Sequence, residues 1–342
     1  MKGIACGHWV LAAALLLGCL PVSAGAQTKP LRFVMASTPS FTWLPFLVAR
    51  QLTFEDLAKE TGTRIEVTYS PTPSPALLAL LAGEHEIGIM YVQHAIKAQA
   101  EKKDLVVLAA LMENPTVALL ARTDLPEIKS PADLKGRAVG IVGLGSGHHM
   151  IGLAVAKAYG VNPEDVTWRS TGGISGWIPS MRSKRVDAVF ASEPTLSKLV
   201  DEGLGRVILD LHGREATEKV FHGPHPTVSI IVRREYANTN PRIVQAVVDA
   251  HLKTLKWIHA KSPQEIAAAL PDPLGKEPNV DSILRRVLPA VSRGGEVTGP
   301  AVTITGDWMK RMDEIPKDFV VDPAKIHEPR FLQRSAGPRG SN

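Results

Sequence analysis

The stretch Val139–His149, VGIVGLGSGHH, concentrates the residues of this chain best suited to chemistry: three alternating glycines, a hydroxyl and two imidazoles. An apolar run reads there as a buried strand, breaks into Gly143, Gly145 and Gly147, and opens a helical pattern near His148 (Met150, Ile151, Leu153, Ala154, Ala158). A helix that starts behind a glycine turn leaves amide N–H groups unpaired, with the positive end of its dipole behind them. Gly145, Ser146, Gly147 and His148 therefore form a candidate anion seat, in which Ser146 adds a hydroxyl donor and His148 a donor or charge-assisted contact. The ordinary alternative is a glycine turn that merely packs closely against the sheet.

Several enzyme and cofactor readings fail on spacing. Gly143-x-Gly145-x-Gly147 is not the G-x-G-x-x-G of a dinucleotide site, and the next strand ends at Trp168-Arg169-Ser170 without an acidic residue for a ribose. His148, His149, His222 and His225 lack H-x-x-x-H or H-E-x-x-H spacing, so no metal and no cofactor is expected. Gly145-Ser146-Gly147 is shorter than a G-x-S-x-G elbow, and no complete catalytic constellation follows it.

The elements that must position these residues alternate. Apolar strands at Leu31–Ala36, Ile65–Tyr69, Ile87–Tyr91 and Leu105–Leu111 are separated by helical patterns at 44–58, 76–82 and 95–102. A second α/β unit has strands at 117–121, 139–142, 166–169, 188–191 and 207–209, and one more strand reads at 228–232. Residues 212–226, with Gly213, Gly223, Pro224 and Pro226, read as a loop, and helices are expected at 241–260, 263–270, 280–291 and 299–312. Strands alternating with helices imply parallel βαβ units, and two such units place a cleft where the strand ends converge. The boundaries expected are 27–119 for lobe one, 120–227 for lobe two, 228–328 for a return strand and C-terminal helices on lobe one, and 329–342 for a polar, flexible tail.

The strand ends supply the remaining site residues. Ser37 and Thr38 follow the first strand, Thr72 and Ser74 the second, with helix capping as their alternative. Tyr91 and Gln93 follow the third strand and would face the same cleft, or sit on a surface loop. Trp43 stacks on a ligand or belongs to the core. Gly172 and Gly173 permit close backbone approach or form a plain turn. Glu193 accepts from an amine or pyrimidine, or pairs with Arg169 or a nearby lysine.

The N-terminus sets the compartment. Lys2, the apolar run Trp9–Leu20 and Ala24-Gly25-Ala26 have the form of a secretory signal peptide over residues 1–26. A lipobox-like Leu16-Leu17-Gly18-Cys19 offers lipidation of Cys19 as the alternative. Both cysteines, Cys6 and Cys19, lie in this leader, so cleavage after Ala26 leaves neither disulfide nor thiol chemistry. The net charge of +5 is interspersed and aromatics make up 5%, which lacks the basic face and stacking residues of a nucleic-acid binder.

Three motifs carry a family resemblance. Leu77–Gly88 (LLALLAGEHEIG), Ser130–Gly140 (SPADLKGRAVG) and Met181–Val189 followed by Ser192-Glu193-Pro194 resemble, in order and spacing, stretches of periplasmic substrate-binding proteins of ABC importers. The chain from about Leu31 to Met312 is similar to the nitrate/sulfonate/taurine and thiamine-precursor group. The resemblance implies the two-lobed type II periplasmic binding fold and a monomer. It also implies a small anionic ligand (sulfonate, taurine, nitrate, carboxylate or thiamine precursor) and an ABC permease and ATPase as partners. The other functions it admits are a thiamine-pyrimidine-synthase-like or esterase-like enzyme on the same fold, and a sensory binding module. Two departures bear on the ligand: Pro71, Pro73 and Pro75 stand where many relatives have glycines, and His148-His149 where Ser/Thr is common.

Overall fold

A computed structural model describes residues 29–172 and 174–335. The signal peptide, Cys19, Gly173 and residues 336–342 lie outside the described residues. Ten strands form two five-stranded sheets. The first has the order β2-β1-β3-β10-β4, from β1 (Leu31–Met35), β2 (Ile65–Tyr69), β3 (Ile87–Tyr91), β4 (Leu105–Ala110) and β10 (Val228–Arg233). The second has the order β7-β6-β8-β5-β9, from β5 (Ala118–Arg122), β6 (Ala138–Ile141), β7 (Thr167–Ser170), β8 (Ala188–Ala191) and β9 (Gly205–Asp210). Each sheet is parallel except for one strand, β10 or β5, that runs antiparallel to both neighbours.

Burial explains the strand patterns. β3, β4, β5 and β8 are buried along their whole length and read as continuous apolar runs, as strands covered on both faces must. The edge strands β2 and β7 are only partly buried and carry the polar residues.

The odd strand in each sheet marks a crossover. The chain leaves the first sheet after β4 and enters the second as β5; it returns through 222–227 as β10. The boundary expected at 119 therefore falls before Ala118, because all of β5 pairs in the second sheet. The two crossovers run side by side. The Leu111 N–H donates to Val228 C=O (2.7 Å), Thr227 N–H to Met112 C=O (3.0 Å), and the Thr227 hydroxyl to Asn114 C=O (3.2 Å).

The C-terminal part is helical and packs on the first sheet, as expected. Pro241–Ala260 lies against Leu44–Leu52 and Phe54–Thr61, where Phe46 stacks on His251 at 6.1 Å. Proline in the first turn starts several of these helices, where its missing N–H costs nothing.

Three local expectations are corrected. The helix expected over 44–58 is two helices that meet at Thr53, whose hydroxyl bonds back to Ala49 C=O. Residues expected as loop contain the helix Arg214–Phe221, which inserts Phe221 against His225 and Trp308. The expected tail forms the helix Arg330–Ser335, held by fully buried Phe331, whose carbonyl accepts from the Gln245 side chain.

Candidate functional site

A chamber lies where the carboxyl ends of both sheets face each other. The first sheet contributes three turns: Ala36, Ser37, Ser40, Thr42 and Trp43 after β1; Pro71 and Pro73 after β2; Tyr91 and His94 after β3. The second sheet contributes Val142, Ser146, Gly147 and His148 after β6. The chamber is small, about 30 Å³, room for roughly two waters. It shares Ser37, Pro71 and Val142 with an outer vestibule of about 650 Å³, also bordered by Thr38, Arg50, Tyr69, Gly172, Thr195 and Asp272.

Contact between the sheets explains the tightness. A Cβ on Gly147 would lie 2.3 Å from Tyr91 Cε2, so only glycine lets the helix Gly147–Ala158 meet the Tyr91 ring. Gly145 serves the turn instead, with φ +73°, and does not border the chamber. Its N–H donates to His149 Nδ1 at 3.0 Å.

The helix opening is a partly satisfied N-terminus. Ser146 is its N-cap: the hydroxyl accepts from the His149 N–H (3.2 Å), as the capping of a first turn requires. Among the described residues the Gly147 and His148 amides have no acceptor. The two residues that carry these N–H groups, at the positive end of a twelve-residue helix, border a chamber whose lining holds no Lys, Arg, Asp or Glu.

The expected charged contact from His148 is corrected. Its ring lies 5.2 Å from that of Trp177, and Nε2 sits 2.9 Å from the Ser192 hydroxyl. Burial pushes its pKa down to about 4, so it borders the chamber as a neutral imidazole. Ser192 is fully buried and does not border the chamber, so this Ser–His pair positions a ring rather than arming a nucleophile.

Other expected residues divide clearly. Ser37, Trp43, Tyr91, Ser146, Gly147 and His148 border the chamber, and Thr38 and Gly172 the vestibule. The Trp43 and Tyr91 rings stand 5.9 Å apart at 45° and form one wall. Burial raises the Tyr91 pKa, keeping the phenol protonated.

Thr72 and Ser74 are exposed and border neither space; Pro71 and Pro73, with opposite phase on the same turn, take the cleft side. Gln93 points away: its amide lies 3.0 Å from His225 Nε2, beneath the crossover. Glu193 accepts from the Ser197 N–H and hydroxyl (3.0 and 2.9 Å) and from the Arg286 guanidinium, so it is a fully buried structural carboxylate.

Ser40, Thr42 and His94 border the chamber without having been expected there. His94 lies in the first turn of the helix Val92–Ala100, directly after the end of β3 at Tyr91.

Comparison with known proteins agrees with this architecture. The NMT1/THI5-like family model matches residues 42–266. No curated protein matches the sequence. Among solved structures, a Bordetella bronchiseptica protein is 24% identical, with 90% of this chain and 97% of that one covered and a TM-score of 0.79. The periplasmic aliphatic sulphonate-binding protein SsuA of Escherichia coli is 21% identical (87% and 96% covered, TM-score 0.67). The periplasmic nitrate-binding protein NrtA of Synechocystis is 14% identical (91% and 89% covered, TM-score 0.72). At these identities the likeness is one of fold, the periplasmic binding architecture of two mixed sheets flanked by helices.

Proposed function

The chain belongs to the NMT1/THI5-like family, and we propose that it is a periplasmic solute-binding protein that captures a small organic anion between its two sheets and delivers it to an ABC permease. The observation that carries the proposal is the pair of unpaired amides, Gly147 and His148, at a helix N-terminus facing the Trp43–Tyr91 wall. Such a seat favours an anionic group, and the aromatic wall suits the organic part of the solute. The bound anion would lie across a seam whose two sides belong to different sheets, so it favours the arrangement in which they meet.

Binding rather than turnover is supported by the hydroxyls: among the described residues none that borders the chamber is hydrogen-bonded to a histidine ring, Ser146 is a cap, and Ser192, the partner of His148, is buried. The solved proteins SsuA and NrtA, named as sulphonate- and nitrate-binding, lean the same way. The leader read from residues 1–26 supports export to the periplasm, where its partner would be a permease with its ATPase.

Small organic acids screened by thermal shift, followed by small-angle scattering, test the proposal. A bound acid at 100 times its Kd is expected to add about 2.7 kcal/mol of stability and to reduce the radius of gyration. No stabilisation by any acid, or an unchanged radius at saturation, would overturn it.

A further inference from the structure

One seam between the two halves of the molecule is made of charged and amide side chains outside the chamber. On the second-sheet side it uses Glu193, after β8, and the helix Thr195–Asp201. On the first-sheet side it uses residues 277–286, whose helix Val280–Val287 packs on the Phe41–Trp43 turn after β1. Arg286 donates to Glu193 Oε1, and its Nε lies 3.9 Å from Asp210 Oδ2 at the end of β9. Lys198 Nζ lies 3.0 Å from Glu277 Oε1, and the Asn279 side-chain amide donates to Asp201 Oδ2 at 2.8 Å. A crossover anchors the same stretch, where the Glu113 N–H donates to Ala290 C=O (2.7 Å).

The seam is complementary place by place: Glu193, Lys198 and Asp201 meet Arg286, Glu277 and the Asn279 amide. Such matching fixes one mutual position, because exchanging partners, as in Asp201 with Glu277 or Lys198 with Arg286, brings like charges together. Its inner end reaches the chamber wall, since fully buried Glu193 follows Ser192, the hydroxyl that holds His148. Pro194, Thr195 and Glu277 border the vestibule, so the seam runs along that space. We propose that this seam is an electrostatic latch that favours the meeting of the two sheets by itself, before any solute contributes. Lys198, Glu277, Asp201 and Asn279 are positioning residues, and none of them borders the chamber. An exposed pair is worth little alone, at most about a fivefold shift of an equilibrium, but pairs that act on the same equilibrium multiply. The latch thereby lowers what a solute's own binding must supply to bring the sheets together.

Small-angle scattering without solute tests the proposal. Raising KCl from 20 to 500 mM screens exposed charges and should enlarge the radius of gyration of the unaltered protein. Asn279→Asp, almost unchanged in size, sets a carboxylate against Asp201 and should enlarge the radius at 20 mM KCl; adding Asp201→Asn should bring it back. Lys198→Glu and Glu277→Lys should each enlarge it, and the two combined should recover most of the difference. Far-UV circular dichroism should stay unchanged throughout, which separates parting of the sheets from loss of fold. A radius unmoved by the single substitutions, or an enlargement that neither paired exchange reverses, overturns the proposal. Because no solute enters the measurement, either of these results leaves the solute-binding reading standing.

Discussion

The two sheets have the same plan and use it in opposite ways. β1 and β6 occupy corresponding places, as do β3 and β8, and in each sheet the fourth strand is the antiparallel one received from a crossover. Yet the ends of β1 and β3 border the chamber only with residues that carry side chains (Ser40, Trp43, Tyr91, His94), whereas the end of β6 adds bare backbone at Gly147 beside the His148 ring. After β8, Ser192 and Glu193 are committed to His148 and Arg286 and face no solute. One side of the cleft is thus written in side chains and tolerates exchange with a change of preference. The other is written in amides and tolerates no added Cβ at the contact.

Changes of pH should act on both sheets together and so give the largest effect. His148, His225 and His251 are buried, with pKa values lowered by burial to about 4, 3 and 4. The unfolded chain, with ordinary values near 6.5, binds more protons below that pH. Stability is therefore complete above about pH 6.5 and falls as pH drops toward 4. The loss at pH 5 is on the order of 2 kcal/mol per histidine, measurable by denaturant unfolding. His148→Phe should flatten the profile by about one histidine's share.

Arg286→Ala comes next. It leaves the Glu193 carboxylate fully buried with only Ser197 as partner, and should cost about 3 kcal/mol in the same assay. A loss below about 1 kcal/mol would show that the carboxylate is readily rehydrated.

Gly147→Val breaks the contrast between the two walls most directly. Its side chain meets the Tyr91 ring and holds the sheets apart. Solute affinity should drop about a hundredfold, near 2.7 kcal/mol, and ligand-dependent compaction should vanish from scattering, while the unliganded protein unfolds almost unchanged. The smallest effect belongs to Ser146→Ala: loss of the cap should cost about 1 kcal/mol of stability and leave affinity within a factor of two.

How much of this was readable beforehand follows from the range of each interaction. All ten strands were legible because buried strands are local apolar runs, and the strand-end rule then located the turns that build the cleft. Phase on a helix is harder. Gln93 and His94 differ by one residue, about 100° of rotation, and only the neighbour's place decides which meets the chamber. Glu193 could not be resolved, since Arg286 is 93 residues away. The helix Arg214–Phe221 was hidden by a polar sequence between glycine and proline signals, and its worth lies in Phe221 packing against residues from two other segments.

The paired crossovers also bear on the order in which the protein assembles. Every strand of the second sheet lies between Ala118 and Asp210, so that sheet is complete within one unbroken length of chain. The first sheet is different: β4 has no place beside β3 until β10, more than a hundred residues later, inserts between them. A chain emerging from its N-terminus can finish the later sheet first, while the earlier one waits with its strand edge open. That edge, the β3 side of the incomplete first sheet, is the surface a chaperone would have reason to cover.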